Sequence, residues 1–281
     1  MIANTHMAAA WNLSARQPLT EYQSPIQNLF HNTFSVVPVM RPQDLDNVYK
    51  LRYEVYCLER GFEDSKQFPQ EQEIDIYDAR SIYTLLQHNK SGEFVGTARL
   101  ILPDQNHIGD VAYDHFPAQA LSNHAMVYNE DIFPSNRTAE ISRICYSQKK
   151  ASELKLNTME QRLILPGLLS GVYMLCDLYQ VDTLMALLEK RLIDRCHQIG
   201  FTPDEVGDSV EHKGTRHLVS YDRAKCADYV REKNVELWKI ITSNGKYSGN
   251  NGYMTIEAMS PQWEADGVKI DPLNKLLSSP I

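Results

Sequence analysis

A carboxylate, a hydroxyl and a guanidinium stand close together in Glu140-Ile141-Ser142-Arg143, and Ile144-Cys145-Tyr146 follows directly. The β-branched and aromatic residues of this stretch predict a short strand. Side chains alternate along a strand, so Glu140 and Ser142 are expected on one face and Ile141, Arg143 and Cys145 on the other. Charges inside a strand are costly unless they are paired. Partners stand upstream: Arg52, the acidic run Glu73-Ile74-Asp75-Ile76-Tyr77-Asp78, and Arg99. Arg52, Arg99 and Arg143 balance Glu73, Asp75 and Asp78 charge for charge, which leaves Glu140 as a surplus acid. A spare carboxylate of this kind can act as a general base. Two readings stay open for Arg52, Asp75, Asp78, Arg99 and Arg143, an ion-pair network that fixes a loop against the sheet or direct contacts to a substrate. Glu140 has its own plain alternative, a salt bridge to Arg143 or Arg99.

Cys145 stands two residues beyond Arg143, but no activating histidine is evident beside it, so a small buried core thiol is the expectation. His212 and His217 lack further ligands at a metal-binding spacing, and no metal site is expected. The five cysteines, Cys57, Cys145, Cys176, Cys196 and Cys226, are scattered, with no C-x-x-C pair. They read as reduced thiols of a cytoplasmic protein. Lys149, Lys150 and Lys155 form a local basic group that would meet an acidic partner, with a solvated loop as the default reading.

The chain has 281 residues, 43% of them hydrophobic and 23% charged, which is ordinary for a globular protein with one large core. Its net charge of −8 argues against a generic nucleic-acid binder, which would rest on phosphate neutralisation. The N-terminus lacks the basic and apolar pattern of a secretory signal. The most apolar run, 163–179, is broken by Pro166, Gly167, Gly171 and Asp177, and reads as a buried helix instead of a membrane span.

These candidates need elements to position them. A short helix is predicted over 26–34 and a first strand over 35–40. A helix over 44–59 repeats Leu45, Val48, Leu51, Val55 and Leu58 at helical spacing, with Arg52 and Tyr56 one turn apart on a shared face. Strands at 81–88 and 94–102 are joined by Asn89-Lys90-Ser91-Gly92, a hairpin signal. A long connection, 103–137, leads to the strand holding Glu140. A basic segment at 147–157, a long helix over 158–179, a strand over 181–188 and a helix over 189–199 closed by Gly200 come next. A strand pair over 205–211 and 216–221 turns at Lys213-Gly214, and a helix covers 223–242. This order gives one α/β sheet of mixed strand direction, without the glycine fingerprints of P-loops or dinucleotide sites.

The order of elements resembles the GNAT (acyl-CoA N-acyltransferase) fold, a central mixed β-sheet flanked by helices. The motifs resemble its acyl-homoserine-lactone synthase branch, whose pattern is an R-x-x-x-F helix, an E-x-D-x-x-D loop, an arginine on the following hairpin and an E-x-S-R strand. Here these are Arg52 with Tyr56, Glu73 with Asp75 and Asp78, Arg99 in Gly96-Thr97-Ala98-Arg99-Leu100, and Glu140 to Arg143. A nearer likeness is to the N-acyl amino acid synthase group and the acyltransferases associated with exosortase/PEP-CTERM systems. It rests on Phe34-Ser35-Val36-Val37-Pro38, the run Leu51 to Phe62, and Val210 to Arg216. Tyr56 departs from the phenylalanine of the lactone synthases, and Phe62 stands near their tryptophan.

The resemblance implies an N-acyltransferase that moves a fatty acyl group from acyl carrier protein to the amine of an amino acid or related acceptor. It implies Glu140, Arg143 and Arg99 as catalytic residues, and Arg52, Tyr56, Phe62, Glu73, Asp75, Asp78 and Ser142 as the substrate-binding set. Lys149, Lys150 and Lys155 would dock the carrier. The glycine-rich pyrophosphate loop of coenzyme-A users is replaced by Ser147-Gln148-Lys149-Lys150, in keeping with an acyl-acyl carrier protein donor and no other cofactor. Leu168, Met174 and Met185 are candidates to line an acyl tunnel. The organisation expected is a mobile leader over 1–25, the acyltransferase domain over 26–242, and an extension over 243–281 without assigned role. Two alternatives remain open: a homoserine-lactone synthase using S-adenosylmethionine, and a non-catalytic carrier- or lipid-binding module.

Overall fold

The computed structural model describes residues 24–249, apart from 111–112, 122–124, 199 and 213. The expected leader over 1–25 therefore falls almost wholly outside the described residues, as do Lys213 and the extension from 250 onward. Residues 243–249 are described and packed: Tyr247 joins the main core, and Asn244 accepts a hydrogen bond from Gln27 at 3.0 Å.

The chain runs α1 (Pro25–Thr33), β1 (Phe34–Pro38), α2 (Pro42–Tyr53), β2 (Ser81–His88), β3 (Phe94–Ile101), α3 (Pro117–Leu121), β4 (Thr138–Tyr146), α4 (Gln148–Glu153) and α5 (Thr158–Leu178). It continues with β5 (Thr183–Leu188), α6 (Lys190–Gln198), β6 (Asp204–Glu205), β7 (Val210–Glu211), β8 (Thr215–Asp222), α7 (Arg223–Lys233) and α8 (Val235–Ile241). The strands form one mixed sheet in the order β1-β2-β3-β4-β5-β8-β6, with β7 paired to β8 beside it. Every pairing is antiparallel except β4 with β5. Parallel neighbours need a long crossover, and α5 supplies it.

Helix α5 starts on a capping box in which Asn157 accepts from the Met159 and Glu160 amides. Pro166 and the glycines do not break it. A side chain at Gly171 would come within 2.3 Å of Thr84, and one at Gly167 within 2.7 Å of Leu86. The glycines are thus what lets the helix lie close on β2. Leu169, Val172 and Tyr173 of α5 pack with Ile82, Leu100, Ala139 and Ile141 on one face of the sheet. On the other face Val48, Leu51 and Val55 pack against Tyr83, Leu85 and Cys145.

Three predicted elements differ. The helix expected over 44–59 is α-helical only to Tyr53 and continues as a π-helical turn, Glu54–Glu59. The strand expected over 205–211 is two short pieces, β6 and β7, each paired to β8. The helix expected over 223–242 breaks at Asn234, whose side chain caps α8 by accepting from Leu237.

β4 and β5 pair only from Thr138–Thr183 to Glu140–Met185. Beyond that point β4 continues beside β3 alone, and Leu187 and Leu188 of β5 face it across a cleft. Glu140 stands where the two strands part.

Candidate active site

The cleft has a volume of about 810 Å³. Its walls are Ile141 to Tyr146 of β4, Tyr56 of the π-helical turn, Leu187 and Leu188 of β5, and Pro117, Ala120 and Leu121 of α3. The apolar residues lie beside a charged set that includes Asp75, Arg99, Glu140 and Arg143.

Strand β4 does not alternate as expected. Its register against β3 jumps between Arg99–Ser142 and Thr97–Cys145, and Arg143 has φ of +48°. This β-bulge gives β4 an extra residue and reverses the parity of the strand beyond it. Ile141 faces α5, but Cys145 packs against α2 and Ile144 takes the α5 side. The expected grouping of Arg143 and Cys145 with Ile141 is therefore corrected. Arg143 instead reaches Glu73 at 3.0 Å and Asp75 at 3.3 Å.

The balancing charges do gather. Arg52 donates to Glu73 at 2.5 Å and to both oxygens of Asp78, at 2.7 and 3.1 Å. Arg99 donates to Asp75 and Asp78, both at 2.7 Å, and to the Ser142 hydroxyl at 2.9 Å. The Tyr83 hydroxyl adds a bond to Asp78 at 2.6 Å. Burial alone would push Glu73 up, but the Arg52 and Arg143 guanidiniums hold it down at about 2. Burial likewise opposes ionisation of Asp78, and Arg52 and Arg99 overcome it, keeping its carboxyl well below the usual range. The deep part of this network is closed: Arg52 is fully buried. Its outer edge is open to the cleft, where Arg143 and Asp75 are each 23% exposed.

Glu140 stands apart from these ion pairs. It is 2% exposed, lines the cleft, and accepts a hydrogen bond on Oε2 from the Ala118 amide at 2.8 Å. Burial pushes its carboxyl up to about 7, against the opposing pull of that amide and of Arg99. A carboxylate tuned to this range can both accept and release a proton near neutral pH.

Tyr56 and Phe62 meet in the cleft with ring centroids 6.4 Å apart, and the Arg143 guanidinium lies 5.4 Å from the Tyr56 ring centre. Cys145 also lines the cleft, but burial pushes its thiol up to about 12, unsuited to nucleophilic use. Leu168, Met174 and Met185 are packed in the core, and none of them lines the cleft. Lys149 and Lys150 approach Glu54 at 3.7 and 3.8 Å, and Lys150 also meets Glu93 at 3.4 Å. Lys155 is exposed just beyond α4. His217 lies 3.3 Å from Glu205, while His212 lines the cleft. Among the described residues no group of three or more His, Cys, Asp or Glu could hold a metal ion, and no helix is long and apolar enough to cross a membrane.

Sequence reasoning missed four contributors. Glu63 lies 3.5 Å from Arg143 inside the cleft. Arg191 and Arg195, exposed on one face of α6, line its rim; their i, i+4 spacing was a readable signal. Ala118 contributes only a backbone amide, which no residue-type pattern can announce.

Residues 51–155 match the family of acetyltransferase (GNAT) domains, a span that runs from Leu51 to Lys155 and holds the predicted catalytic, substrate-binding and carrier-docking residues. Comparison with curated proteins finds no match. Among solved structures the chain is similar to TofI in a ternary complex with an inhibitor and MTA, at 18% identity over 70% of this chain and 96% of that one, with a TM-score of 0.49. It is also similar to BjaI, a CoA-dependent acyl-homoserine lactone synthase with SAM and isopentyl-CoA, at 17% identity over 72% and 88% with a TM-score of 0.46. A third is FeeM, an N-acyl amino acid synthase from uncultured soil microbes, at 10% identity over 70% and 95% with a TM-score of 0.47. Residues 51–155, which match the acetyltransferase (GNAT) domain, are set in a mixed α/β sheet that opens between β4 and β5.

Proposed function

We propose that the protein transfers a fatty acyl group from acyl carrier protein to the amine of an amino acid or a related acceptor, with Glu140 as general base. The observation that carries this reading is Glu140 itself: an acid in the cleft, outside the ion-pair network and pushed up to about 7. An α-amine is largely protonated near neutral pH and must lose a proton before it attacks. Glu140 takes that proton directly or through a water. The amine nitrogen bonds to the thioester carbonyl carbon, the carbonyl oxygen becomes an oxyanion, and the carbon–sulfur bond then breaks. The departing thiolate takes the proton that the now cationic nitrogen gives up, leaving a thiol and a neutral amide, and the proton held on Glu140 passes to solvent.

Arg99 and Arg143 steady the developing charge, and Arg52, Glu73 and Asp78 hold them in place. Arg143, Asp75 and Glu63 place both signs of charge in the cleft, which suits a zwitterionic acceptor. Two features support a carrier donor over coenzyme A. At the start of α4 the Ser147 hydroxyl and the Gln148 amide donate to Glu59 at 2.5 and 2.9 Å, so a diphosphate there would have to displace a carboxylate. The exposed Arg191 and Arg195 give the rim a basic face for an acidic carrier.

The test offers purified protein palmitoyl-carrier or palmitoyl-CoA donors, each with mixed amino acids or S-adenosylmethionine, and reads products by mass spectrometry. The reading expects N-acyl amino acids from the carrier donor. A homoserine lactone as the sole product would overturn the acceptor, and turnover with CoA alone would overturn the donor.

A further inference from the structure

The Glu140 carboxylate makes one hydrogen bond among the described residues, and its donor comes from the long connection between β3 and β4. Ala118 is fully buried beside Ile101, Phe116 and Met185, so packing fixes the place of its amide. The short helix α3 is braced from within the same connection. The Phe116 amide donates to Gln119 Oε1 at 3.1 Å, Gln119 Nε2 donates to the Val127 carbonyl at 3.1 Å, and the Tyr128 hydroxyl donates to the Gln119 carbonyl at 3.3 Å. The braced helix also sets Pro117, Ala120 and Leu121 into the cleft wall.

We propose that the Ala118 backbone amide is the positioning group of the general base: it grips Oε2, aims Oε1 at the acceptor amine and favours the ionised carboxylate. The proposal rests on the reading of Glu140 as the base. It assigns the 103–137 connection a part in catalysis beyond that of a cover. The other charged and titratable groups facing Glu140 are Arg99 on β3, and Asp75, Tyr77 and Arg80 around the 3-10 turn Ile76–Arg80. Arg99 and Arg80 favour its ionised form and Asp75 opposes it. None of the four makes a hydrogen bond to it among the described residues, so the amide alone fixes its direction.

The experiment replaces Ala118 with lactic acid in the full-length chain, an amide-to-ester change that deletes the N–H and keeps the side chain. Losing a bond that favours the charged form raises the carboxyl's pKa. The limb of kcat/KM that rises with pH should move up by about one pH unit, with about fivefold less activity at pH 7 and recovery at higher pH. KM for the donor should stay unchanged. Gln119→Leu, which removes the two side-chain bonds of the brace, should move the limb the same way by less, and it serves if the ester chain does not fold. A merely structural amide would lower the melting temperature and leave the limb where it is; that result would overturn the proposal. Glu140→Gln separates the two claims: if it abolishes turnover while the ester profile is unmoved, the base stands and its positioning group falls.

Discussion

Arg99 and Glu140 are diagonal neighbours on adjacent strands, yet Arg99 gives its hydrogen bonds to Asp75, Asp78 and Ser142 and none to Glu140. Opposite charges so placed on one sheet face would ordinarily pair. Asp75 and Asp78 both take Nη1 of the arginine and Ser142 takes its Nε, and Glu140 is left to burial and one amide. That division of labour gives the cleft ionised acids and a separate acid tuned near neutrality.

The buried network should be needed for stability. Arg52→Ala leaves Glu73 and Asp78 as buried carboxylates without their main partner, a change that costs about 3–5 kcal/mol. Urea unfolding followed by circular dichroism measures it. A loss below about 1 kcal/mol would mean that the network contributes little beyond its shape.

Acid should unfold the protein through the same residues. Glu73 is held at about 2 and Asp78 is also depressed, so each contributes stability that is present above the ordinary carboxylate range of about 4. That contribution is lost as pH falls from there through their folded values. Glu140 has the opposite sign: its raised value means that stability declines as pH rises from about 4.5 to about 7, by something on the order of 3 kcal/mol. Unfolding midpoints measured across pH should show both slopes, and Glu140→Gln should flatten only the second.

Charge reversal on α6 should weaken the donor interaction without touching chemistry. Arg191→Glu with Arg195→Glu is expected to raise KM for an acyl-carrier donor tenfold or more at low salt, with kcat changed less than twofold. Steady-state kinetics at two ionic strengths test this, since the penalty should shrink as salt screens it. An unchanged KM would move the docking face elsewhere.

Close packing of α5 on β2 gives a prediction about the fold. Gly171→Ala places a methyl within 2.3 Å of Thr84 Oγ1 and should destabilise by about 1–3 kcal/mol. Gly61→Ala, where a Cβ meets nothing within 4 Å, adds no clash, and its effect is confined to a backbone at φ +62°. Thermal melts of the two variants compare overpacking with backbone strain.

Much of this was legible in the chain. Asn89 to Gly92 marked the hairpin, Asn157 with Glu160 stands at the start of the long helix, and the equal count of arginines and acids made an ion-pair network one of the two open readings. What escaped notice depends on tertiary context. The bulge at Arg143 inserts a residue that a strict period of two cannot foresee, so the expected face of Arg143 and Cys145 was wrong. The π-helical turn keeps the helical appearance of Leu45 to Leu58 while re-aiming Tyr56. Asn234 did carry a capping signal inside the last predicted helix. The Ala118 contact arises from a connection with short apolar pieces and three prolines, where no period exists to read.

The pH–rate profile of N-acylation by the wild type and Glu140→Gln, each shown to be folded by its melting curve, bears most directly on Glu140 as the base. Glutamine keeps a carbonyl oxygen for the Ala118 amide, so the fold should persist. The wild-type rate should rise with pH through about 7, and the variant should lose about 100-fold or more with that limb abolished. A variant that turns over at the wild-type rate with the same limb would contradict the account.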